Sequence, residues 1–263
     1  MANNLSPIEH MPPELLCEIF RWCVEPYQDV STSEAPLVLL GVCKRWRAVV
    51  LTHSRLWTNF SINITELGPT PPVSALQQEL HCAESSGLSV SVKVEGDDPY
   101  SYHALYHARP ILEYFDHSQS VQRWKNAVLA VPSAESFLKG LFKSCHPILL
   151  ESLHVDLNGW DTEGTGQLST FLSVVPRLQD LSWTDGDYWG VSTIPTASFL
   201  LGTNIPWHNL TRLVLNIFIS LNTTYHMLPQ CADLRTLKPT RFAHGEIARD
   251  LIQNPSPYPN SSP

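Results

Sequence analysis

The stretch Leu150-Glu151-Ser152-Leu153-His154-Val155 returns as Leu178-Gln179-Asp180-Leu181-Ser182-Trp183, Leu210-Thr211-Arg212-Leu213-Val214-Leu215 and Leu234-Arg235-Thr236-Leu237-Lys238-Pro239. The first leucines of these frames stand 28, 32 and 24 residues apart. Trp124 to Leu129 is a weaker member upstream. Within each frame apolar residues alternate with polar ones, the two-residue period of a strand with one buried face. Amphipathic stretches lie between or near them, at Ile111 to Phe115, Phe137 to Phe142, Leu168 to Val175 and Phe199 to Leu201. A strand and a helix repeated in this way cannot bury their apolar sides alone, so neighbouring units must stack. The expectation is a curved α-β solenoid made irregular by its uneven spacing.

If the leucines point inward, the intervening residues face outward on the strand side, where repeat proteins hold partners. That face carries His154, Asp156, Asp180, Ser182, Thr184, Arg212 and Asn216, with Glu151 and Lys238 beside them. Adjacent loops add Trp160, Asp161, Asp185, Asp187, Tyr188 and Trp189. Aromatics bordered by carboxylates suit a basic or aromatic-bearing segment, because Trp and Tyr are enriched among binding hot spots.

Upstream, Leu88, Val90, Val92 and Val94 alternate with polar residues as a strand does, and Asn59 to Ile64 reads as a shorter one. Gly68-Pro69-Thr70-Pro71-Pro72 breaks the chain between them. Val73, Leu76, Leu80 and Ala83 fit one helix face, for which Gly87 would be the C-terminal cap.

Farther upstream, Met11 to Trp57 is richer in apolar residues than the 43% of the whole chain. Pro12 and Pro13 suit a first helical turn, and Glu14 favours the positive end of the helix dipole. Leu15, Leu16, Ile19, Phe20 and Cys23 recur at helical spacing up to a stop at Pro26. Pro36 then opens a second helix with the stripe Leu37, Leu40, Cys43, Trp46, Val49 and Val50, bent near Gly41. A unit of about 50 residues buries only roughly 60% of its unfolded surface. It cannot hide Leu15, Leu16, Ile19, Phe20, Trp22, Trp46 and Trp57 together, so part of this surface must dock on the rest of the chain or on another protein.

The order of a proline pair, Glu14, Leu15-Leu16 and Ile19-Phe20, then Val42-Cys43-Lys44-Arg45-Trp46-Arg47, then Leu56-Trp57, resembles the F-box, in the version found in mushroom-forming fungi. The resemblance covers about a fifth of the chain. It implies a three-helix module that docks on the Skp-type linker subunit of a cullin-RING (SCF) ubiquitin ligase, through Pro12, Leu15, Leu16, Ile19, Phe20, Leu37, Leu40, Val42, Cys43, Trp46 and Trp57. Met11 stands where the family usually has Leu, and the loop from Pro26 to Glu34 is longer than in the shortest F-boxes. The frame spacing, near the roughly 20 to 29 residues of leucine-rich repeats, resembles the substrate-receptor half of leucine-rich-repeat F-box proteins.

The expected organisation is an F-box-like domain over 5–62, a linker helix region over 63–87, a degenerate leucine-rich-repeat-like domain over 88–242 and a disordered tail over 243–263. The implied function is that of a non-catalytic substrate receptor, whose repeats hold an unidentified target protein while the linker connects it to cullin and RING subunits. A ligase-independent repeat scaffold is the alternative.

Charge and motifs narrow the other classes. The 263 residues carry a net charge of −8, without the basic face of a nucleic-acid binder. No run approaches the roughly 18 apolar residues of a membrane span. No secretory signal is visible, and the scattered Cys17, Cys23, Cys43, Cys82, Cys145 and Cys231 read as reduced thiols of a cytoplasmic or nuclear protein. There is no Gly-rich phosphate loop, GxSxG or HExxH. His103 and His107 stand four apart without a third metal ligand at suitable spacing. No cofactor is expected.

Overall fold

Among the described residues seven short segments become strands, with burial alternating most clearly in Ser152–Asp156 and Asp180–Thr184, and all of them join one sheet. In a computed structural model that describes residues 7–25, 29–31, 33–65, 70–95, 102–131, 146–156, 162–184, 205–219 and 221–242, the strands are β1 (Asn59–Thr65), β2 (Leu88–Glu95), β3 (Trp124–Ala130), β4 (Ser152–Asp156), β5 (Asp180–Thr184), β6 (Arg212–Ile219) and β7 (Thr236–Phe242). They lie side by side in chain order, each parallel to the next. Parallel neighbours need long crossovers. Helices α1 (Pro7–His10), α2 (Pro13–Cys23) and α3 (Lys44–Thr52) precede the sheet. The crossovers that follow include α4 (Val73–Cys82), α5 (Tyr102–Ser118), α6 (Thr162–Ser173) and α7 (Leu221–Met227).

Register turns the repeated leucines into continuous rows. Phe60, Val90, Ala127, Leu153, Leu181, Leu213 and Leu237 are successive cross-strand partners, and Ile62, Val92, Leu129, Val155, Trp183 and Leu215 form the next row. Except for the half-buried Leu237, these residues are buried. At the strand entries a backbone ladder keeps the rows aligned. The carbonyl of Glu151 accepts from the amides of Gln179 and Asp180, that of Gln179 from Thr211 and Arg212, and that of Thr211 from Arg235 and Thr236, at 2.8 to 3.1 Å.

The expected fold, a three-helix F-box followed by an irregular leucine-rich-repeat-like curved solenoid, is therefore corrected. The described residues have an α/β arrangement with a single all-parallel seven-stranded sheet. The row pattern extends two strands upstream of Trp124, through β2 to β1, and β1 begins two residues after Trp57. One hydrophobic cluster consequently runs from Leu16 to Cys231. Asp29 also pairs with Ser61, and the Val30 amide donates to the Ser61 carbonyl at 2.9 Å, tying the N-terminal segment to the first strand. That segment has α1, α2 and α3 with 3-10 turns at Val38–Gly41 and Ser54–Trp57, and its buried residues belong to the same core as the sheet.

Local expectations need two further corrections. The helix opened by Pro36 is not continuous. Cys43 is fully extended (φ −159°, ψ 169°) and its sulfur accepts from the Trp46 amide at 3.4 Å, so Cys43 caps a new helix. Nor does Gly87 cap α4, because the left-handed residue there is Glu84, at φ 48°, and Gly87 leads into β2. The stretches at Phe137 to Phe142 and Phe199 to Leu201, the end signal at Pro26, and the tail over 243–263 lie outside the described residues.

Candidate functional site

Helix α2 is built to present two apolar stripes. Pro12 is extended before it, Pro13 fills the first turn, and the Pro12 carbonyl accepts from the Leu15 and Leu16 amides, both at 3.1 Å. At about 100° per residue, Leu16 and Phe20 face inward and are fully buried. Leu15, Ile19 and Trp22, spaced i, i+4 and i+7, lie round the helix from them and remain 55%, 40% and 88% exposed. The inner stripe is held by the Phe20 ring against Trp46, centroids 4.7 Å apart. Next to Trp46, the Arg45 guanidinium donates to the carbonyls of Ile8, at 3.4 Å, and Met11.

The segment from Leu37 to Trp57 divides in the same way. Leu37, Leu39, Val49, Val50, Leu56 and Trp57 are buried, and Trp57 Nε1 donates to the Val50 carbonyl at 2.9 Å. Val38, Val42 and Leu51 are exposed. Of the residues expected to dock a linker subunit, Pro12, Leu15, Ile19, Val42 and Cys43 are exposed, Leu40 and Trp46 are half-buried, and Leu16, Phe20, Leu37 and Trp57 are buried within this chain. Trp22, Val38 and Leu51 were not in that set, although the seven-residue step from Leu15 to Trp22 points to the first of them.

The polar side of α2 faces a different feature. Glu14, Cys17, Glu18 and Arg21 form one wall, and Thr52, His53, Ser54 and Arg55 the other, of an open cleft of about 320 Å³. Glu18 and Arg21 are paired along its α2 wall at 3.0 Å. Burial and the neighbouring Glu18 push the Cys17 thiol up, against the opposing pull of Arg21 and Arg55. A raised pKa disfavours the thiolate, the reactive form of the side chain.

The outward positions of the strands form rows of their own. Ser152, Asp180 and Arg212 are successive partners, as are His154, Ser182 and Val214, and Asp156, Thr184 and Asn216. Neighbours within these rows bond to one another. His154 Nδ1 lies 2.7 Å from Ser182 Oγ, Arg212 donates to Asp180 at 2.9 Å, and Asn126 donates to Ser89 at 2.9 Å. Burial lowers the His154 pKa, while Asp156 and Asp180 act to raise it. The face thus gathers the seven strand residues expected to hold a partner. Tyr188 and Trp189, like Trp160, Asp161, Asp185 and Asp187, lie outside the described residues.

Among the described residues, no group of three or more His, Cys, Asp or Glu side chains is placed to hold a metal ion, and no helix is long and apolar enough to cross a membrane. Cys17, Cys23, Cys43, Cys82 and Cys231 are free thiols, and Cys145 lies outside the described residues. A scan against protein-family models and a search of curated proteins both find no match to this chain.

Proposed function

We propose that this chain is a non-catalytic substrate receptor, acting in the cytoplasm or nucleus, whose N-terminal helices dock the Skp-type linker subunit of a cullin-RING ubiquitin ligase. The outward face of the sheet holds the target protein. The observation that carries this reading is the double character of α2: Leu16 and Phe20 serve this chain's own core, while Leu15, Ile19 and Trp22 stand in water on the same helix. Fully burying a side chain of this kind is worth roughly 1.5 to 3 kcal/mol, so the outer stripe favours a second polypeptide. The proline pair, the Leu-Leu and Ile-Phe steps, and Val42 to Arg47 in the order of an F-box name the kind of partner.

A receptor of this kind contributes proximity and orientation, bringing target lysines to a conjugating enzyme bound elsewhere in the complex. The polar rows around His154, Ser182, Asp180 and Arg212 supply directional groups for holding the target. The target itself is a protein of unknown identity.

Coexpression tests the reading. The chain should be poorly soluble alone and recovered with a fungal Skp-type linker subunit, and it should retain the linker in a pull-down. Joint replacement of Leu15 and Ile19 by Asp should abolish retention. Retention unchanged by that replacement, or solubility indifferent to the linker, would leave a ligase-independent binding scaffold as the better account. Point variants are the right tool, because deleting residues 11–57 would remove Leu16, Phe20, Leu56 and Trp57 from the common core.

A further inference from the structure

Helix α4 carries a carboxylic acid at the centre of its buried face. At about 100° per residue, Ala75, Leu76, Glu79, Leu80, Cys82 and Ala83 fall on one arc, all of them buried, with Glu79 at its middle. An unpaired carboxylate in such a place is far more costly than the neutral acid. The elements packed on α4 supply no pairing charge. The turn Ser54–Trp57 brings Arg55, which is exposed. On α5 the described titratable side chains Tyr106, His107, Arg109, Glu113 and His117 are exposed, and Tyr114 is half-buried. The inward residues of β1 and β2, among them Phe60, Ile62, Val90 and Val92, are apolar. Arg123 is half-buried and directs its guanidinium at the carbonyls of Leu80, at 3.3 Å, and Ser86, at 3.2 Å. None of these groups acts on the Glu79 carboxyl, which burial alone pushes up. On its own helix Glu79 does act on Cys82, whose thiol is pushed up by burial and then by Glu79 and Glu84.

We infer that α4 is a pH-sensitive latch: it lies closed while Glu79 holds its proton and lifts from the core when Glu79 ionises, uncovering Cys82 and loosening the N-terminal segment from the sheet. The last effect runs through the C-terminal end of the helix. There Ser86 Oγ donates to Ser54 Oγ at 3.2 Å, in the turn that also holds the buried Leu56 and Trp57. The two Arg123 bonds tie the same end to the entry of β3. The body of α4 is held by its apolar face, and an anion at the middle of that face opposes the contact. The closed helix keeps the proton at pH values where a carboxyl in water has lost it. Closure is therefore complete in acid and weakens as pH rises through neutrality. The latch operates whether or not a ligase subunit binds the chain.

Modification of the full chain by N-ethylmaleimide, from about pH 5.5 to about pH 7.5, spans the range in which linkage changes the opening about tenfold per pH unit. Cys82 and Cys231 are both 7% exposed, so Cys231, at the far end of the sheet, reports opening of the chain as a whole. Each rate is divided by that of the same cysteine in the urea-unfolded chain at the same pH, which removes the titration of the thiol itself. Cys82 should react about tenfold or more faster at the upper pH than at the lower, and should outrun Cys231 there. Glu79→Gln, and Glu79→Met as a second uncharged variant, should hold Cys82 at its slow rate across the range. A Cys82 rate that does not rise with pH, a rise that persists in both variants, or equal rates for Cys82 and Cys231 at every pH would overturn the inference.

Discussion

The rings of Phe20 and Trp46 meet with centroids 4.7 Å apart and planes tilted by 55°, and this contact holds α2 to α3. It assigns the inner stripe of α2 to the core and leaves the outer stripe exposed. Replacing the fully buried Phe20 by Ala should cost about 3 to 5 kcal/mol, measured by denaturant unfolding. Replacing Leu15 or Ile19 by Ala should cost well under that, within about 1 kcal/mol. Comparable losses at all three positions would show that the outer stripe belongs to the core.

Glu79 adds a pH dependence. It is only 3% exposed, no hydrogen bond or ion pair reaches its side-chain carboxyl among the described residues, and burial pushes that carboxyl up to about 8. The folded state thus binds its proton more tightly than the unfolded chain, whose carboxyl titrates near 4.5. The stabilising contribution of the protonated form is complete below about pH 4.5 and is lost as pH rises through about 8. At about 1.4 kcal/mol per pH unit, the loss between pH 4.5 and neutrality is on the order of 3 kcal/mol. Glu79→Gln should flatten the unfolding free energy across that window and raise it at neutral pH. An unchanged slope would show that Glu79 ionises normally.

The inner and outer rows of the sheet should respond differently. Leu181 and Leu213 are fully buried partners, and each change to Ala should cost about 2 to 5 kcal/mol. Arg212→Ala removes a pairing with Asp180 in which the arginine side chain is half exposed, and should cost no more than about 1 kcal/mol. Thermal unfolding of the three variants checks the ordering.

If the polar face holds the target, His154→Ala and Arg212→Ala should reduce the proteins captured by proximity labelling in the source cell, with linker retention unchanged. An identical set of labelled proteins for wild type and both variants would move target binding away from this face.

Much of the sheet was legible because strand periodicity and register are the same signal: Leu153, Leu181, Leu213 and Leu237 share one frame in sequence and one row in space. The fold as a whole was misread because Asn59 to Ile64 was recognised as a strand but not as a member of that row. Its place depends on the nonlocal pairing of Ile62 with Val92, which no local pattern reveals. Helix α7 was missed because Leu221-Asn222-Thr223-Thr224-Tyr225-His226-Met227 is only seven residues long and carries just one apolar pair at helical spacing, Leu221 and Tyr225. The division of α2 into inner and outer stripes was only half legible. Helical spacing placed Leu15, Leu16, Ile19 and Phe20 on a helix, but which of them this chain would cover depended on where Trp46 came to rest.

Hydrogen–deuterium exchange of the chain with and without a Skp-type linker subunit tests the central claim most directly. The expected result is slower exchange on adding the linker over Pro13–Cys23 and through the turn at Val38–Gly41, with the strands β3 to β6 unchanged. Exchange over Pro13–Cys23 that the linker leaves unaltered would contradict it, and with it the assignment of Leu15, Ile19 and Trp22 to that partner.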